Sequence, residues 1–229
     1  MISSMFNEDE YYDYLEKFLE TKKNHEKFND IFQENIEKKK VSFSTSSISI
    51  DWTYAMMHLV AQKVLLEIRV SNSNLNKLLD VGSQFSFISF AASFFEVTYL
   101  EPRFEGLNLN VQNICNLKGF SGEAQNLPFE KETFDVITSL HAIEHFGLGR
   151  YGDTLDYYGD QKGIKEFCRV LKDDGFLITG VPTAITSRIE LNGQRVYSPK
   201  DFSDMVCQVS NLKKHNSFII YPRKLILKE

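Results

Sequence analysis

The sequence predicts an α/β fold, a mainly parallel sheet with helices on both faces. Three observations lead there. From about Asn76 onward, short apolar runs alternate with stretches of helical periodicity. Four segments end in a polar residue followed by turn chemistry: Leu78–Ser83, Val97–Glu101, Gly122–Ala124 and Phe134–Ser139, the last running into Leu140–His145. Such polar ends are how the carboxyl edge of a parallel sheet lines a ligand crevice. Gly82, directly after the first run, permits the sharp turn that this edge requires.

The elements follow in order. Residues 7–40 read as one or two amphipathic helices. Tyr11, Leu15, Phe18 and Leu19 share one face, and Phe28, Ile31, Phe32 and Ile36 repeat the pattern. Lys38-Lys39-Lys40 suits a helix C-terminus, where cations meet the negative end of the macrodipole. Ser42–Ser49 reads as a connector, and Asp51 as the cap of a further helix carrying Trp52, Ala55, Met56, Leu59 and Val60. That helix is expected to pack on the sheet. Strand one is Lys77–Val81, followed by a helix through Phe95. Strand two is Glu96–Glu101, a short third strand lies near Leu117–Gly119, and strand four is Phe134–Ser139. A helix over 161–172 places Ile164, Phe167, Cys168 and Leu171 at helical spacing. Asp173-Asp174-Gly175 then turns the chain into strand five, Phe176–Val181. Pro199 opens a helix over 199–209. The end of the chain, Phe218–Tyr221 and Leu225–Leu227, reads as a strand pair around Pro222-Arg223. The expected division is a helical N-terminal extension over 1–75 and an α/β domain over 76–229.

Bulk properties narrow the function. A length of 229 residues suits one α/β domain with an extension better than two independent domains. The net charge of −5 removes the global electrostatic footprint of a nucleic-acid binder. Cys115, Cys168 and Cys207 are too few and too scattered for a disulfide framework or a zinc ribbon, and read as reduced thiols. No apolar run approaches the roughly 20 residues that span a bilayer, and Met1–Glu10 is too acidic for a signal peptide. The expectation is a cytoplasmic protein acting on a small molecule, with neither a nucleic-acid nor a membrane partner. The helices within 7–40 could pair two copies as a homodimer.

The strand ends carry nucleoside-binding chemistry. The helix after Gly82 presents unpaired N–H groups to an anionic group such as a carboxylate. Glu101 falls 21 residues after Asp80 at the tip of strand two, where a carboxylate can accept hydrogen bonds from two ribose hydroxyls. Glu123, in the next strand–helix loop, can accept a bond from an adenine amino group.

The order and content of these segments resemble class I S-adenosylmethionine-dependent methyltransferases over roughly residues 76–182. The most specific stretch runs from Gly122 to His145. It holds Glu123-Ala124, then Leu127-Pro128-Phe129, then Phe134-Asp135-Val136-Ile137, then Glu144-His145. The resemblance implies a Rossmann-like sheet, S-adenosyl-L-methionine as cofactor and S-adenosyl-L-homocysteine as product. It implies cofactor contacts from Asp80, Gly82, Ser83, Glu101, Glu123, Ala124, Ser139 and Leu140. The chain departs from the family's acid-x-Gly-x-Gly-x-Gly loop, with Gln84 and Ser86 in place of two glycines. The same loop lacks the Gly-x-Gly-x-x-Gly fingerprint, which speaks against a nicotinamide-dependent oxidoreductase.

In this family, the stretch corresponding to His141–Asp153 lies beside the transferring methyl. Gly147, Gly149 and Gly152 make it mobile or tightly turned. Glu144, Arg150, Tyr151 and Asp153, with Arg195 and Tyr197 further on, are expected to contact substrate. Arg150 and Arg195 would offer two guanidinium groups to a phosphate or carboxylate. The run Glu144–Asp153 is also similar to a branch of bacterial methyltransferase-like proteins, some linked to surface-glycan synthesis. An anionic sugar-type substrate follows, phosphorylated or nucleotide-linked and methylated on oxygen. A hydroxyl nucleophile calls for a base, with His145 first and His141 second, since imidazole titrates near neutral pH. His141-x-x-Glu144-His145 formally matches an inverted zinc-peptidase motif. It follows a nucleotide-fold strand and lacks an evident third ligand, so no metal is expected. Two alternatives remain: a non-catalytic cofactor-binding scaffold, which the altered glycine loop would permit, and an RNA methyltransferase, which the acidic balance opposes.

Overall fold

The computed structural model describes residues 8–24, 28–33, 35–38, 52–102, 116–191, 193–214, 216–221 and 224–228. The first half contains α1 (Glu8–Glu20), β1 (Ile36–Lys38), α2 (Trp52–Ser71), β2 (Lys77–Val81), α3 (Phe85–Ala91), β3 (Glu96–Leu100) and β4 (Leu117–Phe120). The second contains β5 (Phe134–Leu140), α4 (Gly159–Val170), β6 (Leu171–Gly180), β7 (Arg188–Leu191), β8 (Gln194–Val196), α5 (Pro199–Val209), β9 (Ser217–Tyr221) and β10 (Lys224–Lys228).

The central sheet has the order β4-β3-β2-β5-β6, and every pairing is parallel. Parallel sheets need cover on both faces. β5 accordingly is buried at all seven positions, Phe134 to Leu140. Successive side chains alternate between faces. Leu78 and Val136 join Met57, Ala61, Leu65, Phe87 and Ile88 of α2 and α3 in one apolar layer. Leu79, Val81 and Ile137 meet Ile164 and Phe167 of α4, with Phe18 of α1 and Met205 of α5, in the other. Gly180 permits the close approach of α2, since a Cβ there would stand 2.6 Å from Met57 Sδ. The expected helix beginning near Asp51 is thus α2, packed on the sheet, while Asp51 itself lies outside the described residues.

Chain order reverses between β2 and β5, and the carboxyl ends of those strands open the crevice that a reversal creates. α5 starts as the sequence suggests, with Pro199 in its first turn and the Ser198 hydroxyl accepting a bond from the Asp201 amide at 3.1 Å.

Three expectations are corrected. The helical pattern over Phe28–Ile36 gives way to turns and to β1, which pairs in parallel with β7, Ile36 opposite Ile189. Long-range contacts use those apolar residues: Phe28 stacks on Tyr158 and Phe32 lies against Tyr197, both with centroids 5.5 Å apart. The segment between strand five and the helix at Pro199, for which the sequence pattern predicts no strand, forms the antiparallel hairpin β7–β8. β6 begins at Leu171 rather than Phe176, because its register on β5 jumps from Phe134–Leu171 to Val136–Phe176. The extra residues around Asp173 are accommodated there, and Lys172 Nζ ties to Asp135 Oδ1 at 2.6 Å. β9 and β10 pair antiparallel with each other, as read from the sequence. The connector Ser42–Ser49, Lys39-Lys40 and Pro222-Arg223 lie outside the described residues. Among the described residues no helix is long and apolar enough to cross a membrane.

Candidate active site

The ends of β2, β3 and β5 and the loops after them line an open cleft. It gathers eight of the residues singled out from the sequence: Gly82, Glu101, Glu123, Ala124, His141, His145, Tyr151 and Asp153. Pro102 and Gln125, which carried no signal in the sequence, also line it, as do Gly122 and Phe146, which the sequence placed in the motif stretches without a role of their own.

The turn after β2 is set by backbone geometry. Gly82 has φ of +73°, and a Cβ there would lie 2.8 Å from Ala142 Cβ. Only glycine combines that conformation with that approach. Its amide donates to the Leu100 carbonyl at 3.0 Å, joining the ends of β2 and β3. Asp80 does not line the cleft. It is wholly buried, accepting from the Ser83 amide at 3.0 Å and from Thr138 Oγ1 at 2.5 Å. Burial pushes its carboxyl up to about 6 despite those bonds. Ser83, Ser139 and Leu140 are buried beside it. Ser83 Oγ accepts from the Leu140 amide at 3.1 Å, and Ser139 Oγ donates to the Val81 carbonyl at 3.0 Å. These four residues brace the turn that presents Gly82.

Glu101 follows β3, is 5% exposed, and takes a bond from the Tyr99 hydroxyl at 3.3 Å. Glu123 reaches across the cleft. Its Oε1 accepts from the Thr154 amide at 3.1 Å and from Thr154 Oγ1 at 3.2 Å. The loop after β5 is therefore hooked to the Glu123 loop.

The histidines follow β5. His141 has φ of +58°, a left-handed conformation rare outside glycine and a local strain held by surrounding contacts. Its amide donates to the Gly180 carbonyl at 2.8 Å, and its ring lies against Tyr54 of α2, centroids 4.5 Å apart. Its Nδ1 is 2.6 Å from Glu144 Oε1. His145 Nδ1 is 2.8 Å from the Gly193 carbonyl in the β7–β8 turn. A carbonyl only accepts, so Nδ1 carries the proton and Nε2 keeps its lone pair. Burial lowers the His145 pKa, with Glu144 opposing and Arg150 reinforcing that shift. Burial thus favours the neutral ring, the form a base requires.

The substrate-side residues sort differently from expectation. Asp153 lines the cleft but also organises its own loop: Oδ2 accepts from the amides of Gly147 and Gly149 at 2.8 and 3.2 Å, and Oδ1 from that of Tyr151 at 3.1 Å. Arg150 donates to the Gly193 carbonyl at 2.9 Å and lies over the Tyr151 ring. Arg195 and Tyr197 are turned away from the cleft and fully buried. Arg195 donates to the carbonyls of Phe146, Asp156 and Tyr157, and its Nε lies 3.7 Å from Asp160 Oδ1. Tyr197 donates to Asp160 Oδ2 at 3.0 Å. The expected pair of guanidinium groups over a substrate is thus not formed. Glu144 is likewise buried behind the histidines and does not line the cleft.

A family model described as Caenorhabditis protein of unknown function, DUF268, matches residues 113–217. That span holds both histidines and the loop after them but neither Gly82 nor Glu101. The uncharacterized methyltransferase YcgJ of Bacillus subtilis (strain 168) is 34% identical over 64 residues, 28% of this chain and 21% of that protein. The matched stretch is thus well under two thirds of that relative's length. Among solved structures, a SAM-dependent methyltransferase of Leishmania major superposes with a TM-score of 0.50 at 13% identity, covering 67% of this chain and 63% of that one. The Haemonchus contortus phosphoethanolamine N-methyltransferase 2, in complex with phosphomonomethylethanolamine and S-adenosylhomocysteine, gives 0.50 at 14% identity, covering 66% and 36%. At such identities the likeness is one of fold: this chain has the mainly parallel, Rossmann-like fold of those methyltransferases.

Proposed function

We propose that the protein is an S-adenosylmethionine-dependent methyltransferase acting on a small molecule. One observation carries this reading: Gly82, Glu101, Glu123 and His145, from four separate segments, converge on one cleft at the point where strand order reverses. The cleft's own residues fit the cofactor. A Cβ at Gly82 would close the approach to the first turn, and Glu101 places a carboxylate where a ribose diol can donate to it. Glu123 and Ala124, which line the same cleft, would receive the adenine. When bound, S-adenosylmethionine supplies a methyl already activated on a sulfonium.

The chain then has two tasks, to orient the nucleophile and to exclude water. Tyr151 and Phe146 wall the cleft beside His145. His145 Nε2 accepts the proton of a substrate hydroxyl, its ring held by the Gly193 carbonyl. The substrate in this reading is a sugar or a phosphorylated or nucleotide-linked sugar, methylated on oxygen. For an anionic group the cation nearest at hand is Arg150, which lies over Tyr151 at the cleft wall without itself lining the cleft, whereas Arg195 is interior.

The test is S-adenosylhomocysteine release from the wild-type protein across a panel of neutral sugars, sugar phosphates and nucleotide sugars. Turnover on a member of the panel, lost in His145→Gln with homocysteine-form binding retained, supports the reading. Turnover unchanged in His145→Gln removes the proposed base.

A further inference from the structure

Glu144 lies in the short 3-10 turn Ile143–His145 after β5, with none of its surface exposed. Its Oε1 stands between the two cleft histidines, 2.6 Å from His141 Nδ1 and 3.9 Å from His145 Nε2. Among the described residues its Oε2 meets no hydrogen-bonding group. Among the described residues the ionisable groups within 4 Å of its carboxylate are those two histidines, with neither a lysine nor an arginine. A carboxylate removed from water without a fixed cation is costly. The arrangement becomes favourable when an adjacent imidazole carries positive charge.

The imidazole nitrogens indicate which one does. His145 Nδ1 is committed to the Gly193 carbonyl, so its free nitrogen is the one nearer Glu144. We propose that Glu144 is a positioning residue whose buried negative charge stabilises the imidazolium formed on His145, and that His141 holds that carboxylate in place through Nδ1. The inference rests on the methyl-transfer reading only for the source of the proton. In the step itself the substrate O–H bond breaks, its electron pair stays on oxygen, and an N–H bond forms at His145 Nε2. The new cation then lies at ion-pair distance from Glu144 Oε1. The groups facing His145 are Glu144 and His141 from the end of β5, Arg150 and Tyr151 from the loop, and the Gly193 carbonyl from the β7–β8 turn. Arg150 opposes the cation, so Glu144 is the group on hand to offset both that repulsion and burial. Tyr197 faces Glu144 from the core, contributing a neutral phenol.

The experiment is a pH titration of the histidine side chains by nitrogen and carbon NMR, on wild-type protein and on Glu144→Gln, with the His145 signals assigned through their loss in His145→Gln. Glutamine keeps the shape and an oxygen for His141 while removing the charge. The His145 midpoint is expected to fall by about one to two pH units. A midpoint that does not move overturns the proposal. A second readout needs no folded variant: above its midpoint, wild-type His145 should show the Nδ1-protonated tautomer. The Nε2-protonated tautomer would make Glu144 a mere acceptor and overturn the proposal as well. Neither measurement uses cofactor or substrate. Failure to bind S-adenosylhomocysteine would sink the methyl-transfer reading and leave this titration standing, and the reverse outcome would do the opposite.

Discussion

Glu101 and Arg195 were both expected to face a ligand, and the structure treats them in opposite ways. Glu101 directly follows β3 and lines the cleft with Gly82 and Glu123. Arg195, on β8, is fully buried and holds three backbone carbonyls of residues 146–157 in place. The difference lies in what sets each position. A residue at a strand end faces the crevice because the strand does, and the strand is written locally in a run of apolar residues. A residue in a returning segment faces whatever its distant neighbours leave open. Arg195 lies 49 positions from Phe146, one of the carbonyls it serves. The loop after β5 is therefore a scaffold built from inside by Arg195, Asp160 and Tyr197 and from within by Asp153.

The contrast can be broken most forcefully at Arg195. Replacing it with methionine leaves Asp160 buried without its cation, and the fold should lose about 3–5 kcal/mol by denaturant unfolding. Loss of activity with stability intact would instead return Arg195 to the substrate. Asp80 comes next. Its carboxyl is pushed up to about 6 by burial, from a value near 3.8. The native state thus holds its proton to higher pH than the unfolded chain. Its contribution is full below about pH 4 and declines as pH rises to about 6, by up to roughly 3 kcal/mol. Asp80→Asn should flatten that part of the stability–pH curve.

On the strand-end side, Glu101→Ala should weaken S-adenosylhomocysteine binding by about 1.5–3 kcal/mol, the loss of charge-assisted hydrogen bonds, with the melting temperature little changed. The smallest effect sits where the two regions meet. Thr154→Val removes the hydroxyl bond to Glu123 Oε1 and keeps the amide bond. It should cost about 0.5–1.5 kcal/mol of stability and leave cofactor affinity close to that of the wild-type protein. A large loss of affinity would mean that the hook positions Glu123 for its ligand.

The same contrast explains what the sequence made legible. β2, β3 and β5 were readable because apolar runs with a polar end have one sensible environment in a parallel sheet. Gly82, Glu101 and Glu123 inherit their places from those strands. The histidine segment was readable as site material, yet the roles within it were not. Glu144 and His145 are adjacent in sequence, and only the 3-10 turn decides that one is buried behind the other. Phe28 and Phe32 carried a helical spacing, but their partners Tyr158 and Tyr197 lie in distant segments, and packing against them replaced the helix with turns and a strand. Tyr54 gave no signal as a neighbour of His141, because α2 reads as an ordinary apolar helix. The altered glycine loop was legible as a departure. The structure adds that the turn is carried by Gly82 and braced by Asp80, Thr138 and Ser83.

The central claim is that the crevice at the strand ends is a cofactor site. Calorimetric titration of the full chain with S-adenosylhomocysteine, with NAD(H) run alongside, tests it most directly. Saturable binding of S-adenosylhomocysteine that is lost or strongly weakened in Glu101→Ala, with no binding of NAD(H), is the predicted result. Absence of S-adenosylhomocysteine binding to a folded wild-type protein, or binding indifferent to Glu101→Ala, would contradict the account.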